Sequence, residues 1–150
     1  MYHTGCLPTF CKSIVIDAPV ETVFGFHERE DALTLLSPRF PPLTITRTGG
    51  LQPGSRVELR AGPFRWVALH TAFEKDRLFV DEQTQGPFQL WVHRHEFEDL
   101  GDITRLTDRV TYRLRGGAVA NAALGWLVAL AMRGLFRYRH RVTKQVCERT

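Results

Sequence analysis

FVDEQTQGPFQLWVHRHEFEDLGDITRLTDRVTY, residues 79–112, is the stretch that decides how this chain is read. It is broken at Gln85-Gly86-Pro87 and again at Asp99-Leu100-Gly101-Asp102, with β-branched and aromatic residues between, so three antiparallel strands are expected. In the last of them Leu106, Val110 and Tyr112 alternate with Arg105, Arg109 and Arg113, which turns the even positions inward. Asp81, His93, His95 and Asp108 then lie among large aromatics on one buried face. Polar groups on such a face form a site or a satisfied network.

A second anchor lies upstream. Val57 and Leu59 alternate with Arg56, Glu58 and Arg60, so odd positions point inward there. A two-residue turn at Gly62-Pro63 sets Leu59 opposite Trp66 and Val57 opposite Ala68. A turn at Lys75-Asp76 sets His70 opposite Asp81. Continuing across the next two turns sets Asp81 opposite Trp91 and His93 opposite Asp108. Both anchors agree on parity. The inward set includes Trp66, His70, Ala72, Phe79, Asp81, Trp91, His93, His95, Phe97, Asp108 and Tyr112. Val67, Leu69, Leu90 and Val92 point outward, and a homodimer contact is the expectation for such apolar positions.

On either side of this sheet the signals change. Phe10–Ile16 reads as a first strand, and Asp17-Ala18-Pro19 as the capped start of a short helix. Residues 28–36 read as a second short helix ended by Ser37-Pro38. Six β runs follow from Leu43. Beyond Gly116-Gly117 the period becomes helical, with Leu124, Val128, Ala131, Leu135, Tyr138, Val142 and Val146 as the expected stripe of one long helix. Small residues such as Ala123, Gly125, Ala129 and Gly134 are expected to face the sheet's aromatics.

At 150 residues, 43% hydrophobic and 24% charged, the chain is one globular domain with enough length for a core. A net charge of +4 and the lack of any nucleic-acid recognition motif argue against a nucleic-acid partner. Cys6, Cys11 and Cys147 form no C-x-x-C pair, which fits a reduced, cytoplasmic setting. The N-terminus has no basic start followed by an apolar core, so no secretory signal is read there. The uncharged run 116–132 falls short of the roughly 20 apolar residues of a membrane span.

The order strand, two short helices, six strands and a long helix resembles the helix-grip fold. SIVIDAPVETVF (13–24), FVDEQTQGPFQLWVHRHEF (79–97) and the strand 104–112 are similar to the START-related superfamily, SRPBCC, in its polyketide cyclase/dehydrase and lipid-transport group. The resemblance implies an α+β domain: a curved antiparallel seven-stranded sheet gripping a long C-terminal helix. A cavity between them would hold a small hydrophobic ligand. Trp66, His70, Phe79, Asp81, Trp91, His93, His95, Phe97, Asp108 and Tyr112 are the candidate lining.

Three functions compete. The first is binding or transport of the ligand, with the histidines and aspartates at its polar end. The second is a cyclase, dehydratase or hydrolase with His93 and Asp108, or Asp81, as the acid/base groups. No nucleophile is evident beyond Ser55 near His70. The third is peripheral membrane contact through the last helix, where Arg133, Arg137, Arg141 and Lys144 follow Trp126, Leu127 and Leu130. His93-Arg94-His95 alone carries no metal-specific spacing, so neither a metal nor another cofactor is expected.

Overall fold

The computed structural model describes residues 7–149. Cys6 and the rest of the N-terminal start lie outside them. The elements run β1 (Thr9–Ile16), α1 (Val20–Glu28), α2 (Ala32–Leu35), β2 (Thr44–Thr48), β3 (Arg56–Ala61), β4 (Phe64–Glu74), β5 (Leu78–Gln85), β6 (Phe88–Asp99), β7 (Thr104–Leu114) and α3 (Gly117–Cys147). The strands form one antiparallel sheet in the order β1-β7-β6-β5-β4-β3-β2. This is the expected helix-grip arrangement. Consecutive hairpins build six neighbouring strands, and β1 closes the far edge against β7.

Parity holds for most of the sheet, but the register is shifted. Asp81 opposes His93 rather than Trp91, and His95 rather than His93 opposes Asp108. Each pairing slides by two residues because the strands end at different residues from those the turn signals marked; β7, for instance, pairs Thr104 with Asp99. A two-residue slide leaves every side chain on its own face. The register shifts at three places, Val67/Ala68, His70/Ala72 and Phe88/Leu90, and the second of them changes which side chains of β4 face inward. An extra residue in one strand inverts the faces beyond it. Ala72 therefore shares the outer row with Val80, and Phe73 turns inward, 5.6 Å from Phe24.

The interior has two apolar clusters. One gathers Ile16, Val23, Phe24, Phe79, Phe97 and Leu106 with Cys147; the other joins Trp91, Val110, Tyr112, Met132 and Phe136. The fully buried α3 residues are Met132, Phe136, His140, Thr143 and Cys147; of the expected stripe, Val128, Val142 and Val146 pack against the clusters partly buried, while Leu124 and Ala131 are exposed. The error has a plain cause: the first half of α3 is apolar all round, so its periodicity names no face. Ala123 and Gly134 are exposed, and large residues rather than small ones meet the aromatics. The helix begins on Gly116 and Gly117, both left-handed at φ 95° and 64°, where a side chain would be strained.

Asp17 supplies no side-chain cap to α1; its N–H instead donates to Glu148 at 2.8 Å. The outward residues Val67, Leu69, Leu90 and Val92 are buried or half-buried, leaving a dimer little apolar surface on that face. Exposed apolar side chains gather on α3, at Val119, Leu124, Trp126, Leu127 and Leu130; Val15, Leu35, Phe40, Phe64 and Leu100 are exposed singly elsewhere. By length and composition alone α3 is apolar enough to cross a membrane, and little of its apolar half is buried.

Candidate functional site

Five histidines from four elements meet at one place. His27 comes from α1, His70 from β4, His93 and His95 from β6, and His140 from α3; all line one cavity of about 280 Å³. Asp81 on β5 and Asp108 on β7 stand among them. The sheet's pleat explains β6: residues 93 and 95 share a face, so both imidazoles enter the interior. The shifted register then places a carboxylate on each side, with Asp81 opposite His93 and Asp108 opposite His95.

Asp108 is the hub. Its Oδ1 lies 2.7 Å from His93 Nε2 and 3.0 Å from His95 Nδ1; its Oδ2 lies 2.6 Å from His140 Nε2. Asp81 Oδ2 stands 3.2 Å from His95 Nε2 and 3.7 Å from His93 Nδ1. The rings are held by packing as well. His95 stacks on Phe79 at 3.9 Å, and His93 meets Phe136 edge-on at 5.1 Å. The polar network thus sits where the two apolar clusters meet.

Burial and pairing set the charges. Burial would raise the Asp108 carboxyl, but the bonds from His140, His93 and His95 outweigh it and hold it well below the usual carboxylate range. Asp81 is also lowered, since its bond with His95 and the nearby His93 exceed the cost of burial. An ionised carboxylate only accepts, so His93 and His140 donate N–H to Asp108 and His95 donates from Nε2 to Asp81, with its Nδ1 in ionic contact with Asp108. Burial depresses His93, with His95 beside it adding to the effect. Burial acts on His95 too, yet Asp108 and Asp81 raise it above its ordinary value. His27 is pushed down to about 4 by burial and by His95; its Nδ1 lies 2.8 Å from the Val23 carbonyl oxygen.

The rest of the cavity is mainly apolar. Leu36, Leu43, Leu51, Val57, Leu59, Trp66, Ala68 and Trp91 form its walls, with Arg47 and Arg139 as the cations. Of the candidate lining residues, Trp66, His70, Phe79, Asp81, Trp91, His93, His95 and Asp108 come together here. Phe97 and Tyr112 do not. Phe97 packs against Phe24 at 4.9 Å in the first cluster, and Tyr112 belongs to the second. His70 meets Ser55 through the main chain, Nδ1 lying 3.3 Å from the carbonyl oxygen, which gives Ser55 no activating base.

His27, His140 and Arg139 were missed in the sequence. His140 had a signal: it follows Met132 and Phe136 at a spacing of four. The competing stripe hid it. His27 sits on the short helix α1, and nothing local joins it to residues some seventy positions away.

The family model described as polyketide cyclase / dehydrase and lipid transport matches residues 16–148. The chain belongs to that family. Among solved structures, it is similar to the Zhui aromatase/cyclase of Streptomyces sp. R1128, with a TM-score of 0.75 at 14% identity over 95% of this chain and 94% of that one. Norcoclaurine synthase from Thalictrum flavum, in complex with dopamine and hydroxybenzaldehyde, has a TM-score of 0.70 at 12% identity, covering 95% and 88%. At those identities the likeness concerns the fold. A nucleoside-diphosphate sugar epimerase of Corynebacterium glutamicum matches at 27% identity and a TM-score of 0.71 over 91% of this chain, which spans 28% of that longer protein. None of the curated proteins matches the sequence.

Proposed function

We propose that this family member binds a compact, mostly apolar molecule carrying one hydrogen-bond-donating group, and holds that group at the histidines. The cavity carries the reading: apolar walls at one side, an ordered Asp–His network at the other, as small-molecule sites are commonly built. Its volume of about 280 Å³ suits a ring system better than a long acyl chain. His140 adds a specific acceptor. Its Nε2 donates to Asp108, so Nδ1 presents a lone pair, and that buried atom has no hydrogen-bond partner among the described residues. Leaving such an atom unpaired costs about 1–3 kcal/mol, which a ligand hydroxyl or amine would relieve.

Calorimetric titration with 1-naphthol and with naphthalene tests this. One hydrogen bond of about 1.4 kcal/mol corresponds to tenfold tighter binding of the naphthol. Equal affinities, or no binding of either, would sink the reading.

A second reading uses the same groups. Asp108 fixes the tautomer and orientation of His93, as acid–base catalysis requires. Native mass spectrometry would identify a co-purifying compound. The catalytic reading expects the native chain to convert it and Asp108→Asn to bind without converting it; conversion unchanged in the variant removes that reading.

Peripheral membrane contact complements an apolar cargo. Trp126 and Leu130 are 64% and 59% exposed, and Arg133 and Arg137 follow on exposed positions. Basic amphipathic helices lie on anionic bilayers in this way. The native chain is expected to sediment with phosphatidylglycerol-containing vesicles, and the Trp126→Ser, Leu130→Ser double variant to stay in the supernatant. A native chain that ignores vesicles would end this proposal.

A further inference from the structure

The spacing His93-Arg94-His95 specifies no metal by itself; the fold adds what the spacing lacks. Asp108 engages Nε2 of His93 and Nδ1 of His95, which leaves the opposite nitrogen of each ring pointed elsewhere. Those two nitrogens, His93 Nδ1 and His95 Nε2, stand 3.7 and 3.2 Å from the same oxygen, Asp81 Oδ2. A neutral imidazole that donates at one nitrogen offers a lone pair at the other. His93 Nδ1 therefore offers a lone pair beside the Asp81 carboxylate, and His95 Nε2 offers a second once the proton it shares with Asp81 leaves; one ligand atom from each residue lies within 4.8 Å of the other two.

We propose that Asp81, His93 and His95 form a two-histidine, one-carboxylate site for a divalent transition-metal ion, with Asp108 as the carboxylate that orients both imidazoles. The donor set is the one that suits zinc or ferrous iron, and a carboxylate bonded to the remote nitrogen of a ligating histidine is its usual support. The distances fit. Donors about 2.0–2.1 Å from one ion stand about 3.0–3.4 Å apart, so the 3.2 Å edge is already in range and the 3.7 Å edge closes by a few tenths. An ion takes the place of the proton that His95 Nε2 shares with Asp81. All three residues line the cavity, so the ion is reachable from it. The site goes beyond the ligand reading and stands without it.

The test uses the full, untagged chain, stripped with a chelator and titrated with Zn²⁺ alone by calorimetry, then with Co²⁺ followed in the visible. One ion per chain is expected, with cobalt bands of nitrogen and oxygen ligation and no thiolate charge-transfer band. Asp108→Asn is expected to weaken Zn²⁺ binding about 10–100-fold, as loss of an orienting carboxylate does. Asp81→Asn and His95→Gln should weaken it further, with folding checked by circular dichroism. The Cys6→Ser, Cys11→Ser variant should bind as the native chain does. No binding by the native chain, a thiolate band, or binding lost in the cysteine variant would each overturn the site. Because no organic ligand is present, failure here leaves the naphthol result untouched.

Discussion

Asp108→Asn is expected to lower the melting temperature by about 10 °C. The carboxylate is buried, accepts from His93 on β6 and His140 on α3 and stands 3.0 Å from His95, so it ties β6 and β7 to α3. An amide keeps the shape but loses the charge and turns an N–H toward at least one imidazole donor. Breaking a buried, hydrogen-bonded ionic group by altering one partner costs about 3 kcal/mol or more. For a domain of this size that is about 2–4 °C per kcal/mol. Thermal unfolding followed by circular dichroism measures it. A change within a degree or two would mean that the network contributes nothing to the fold and that Asp108 is held in place by packing alone.

The second large effect is a loss of stability in mild acid, centred on His27. Its ring is buried against Phe26 and Phe97, and its value falls from the ordinary 6.5 to about 4. The unfolded chain therefore takes up this proton first as the pH drops. Stability from His27 is complete above pH 6.5, is lost between 6.5 and about 4, and changes no further below that. The span corresponds to about 3 kcal/mol. His70 and His93 are lowered as well and act in the same direction, whereas His95 is raised and acts in the opposite one. His27→Phe isolates the single contribution. Urea unfolding at pH 7 and pH 4 should show the native protein losing about 3 kcal/mol more than the variant; parallel losses would refute the assignment.

These two residues mark how far the sequence could be read. Asp108 was legible because the arginines at 105, 109 and 113 force its neighbours inward, and a strand's two-residue period passes that information to position 108. His27 was not. It sits on a short helix whose place against the sheet follows from the closing of Phe24 onto Phe73, Phe79 and Phe97, contacts spanning up to seventy-odd residues. The bulge after His70 was also hidden, because no residue there announces the extra position that sends Phe73 rather than Ala72 inward.

By itself, then, the amino-acid sequence determined the element order and the faces of most strands, which follow from local alternation and turn chemistry acting over a few residues. The single seven-stranded sheet closed on the long helix was what the family resemblance implied. Only the tertiary structure decided which imidazoles share Asp108, because a register slide of two preserves every face while exchanging every partner. It also decided that His27 and His140 join the site. A helix presents its residues according to what it docks against, and in α3 the apolar first half left that docking face unwritten.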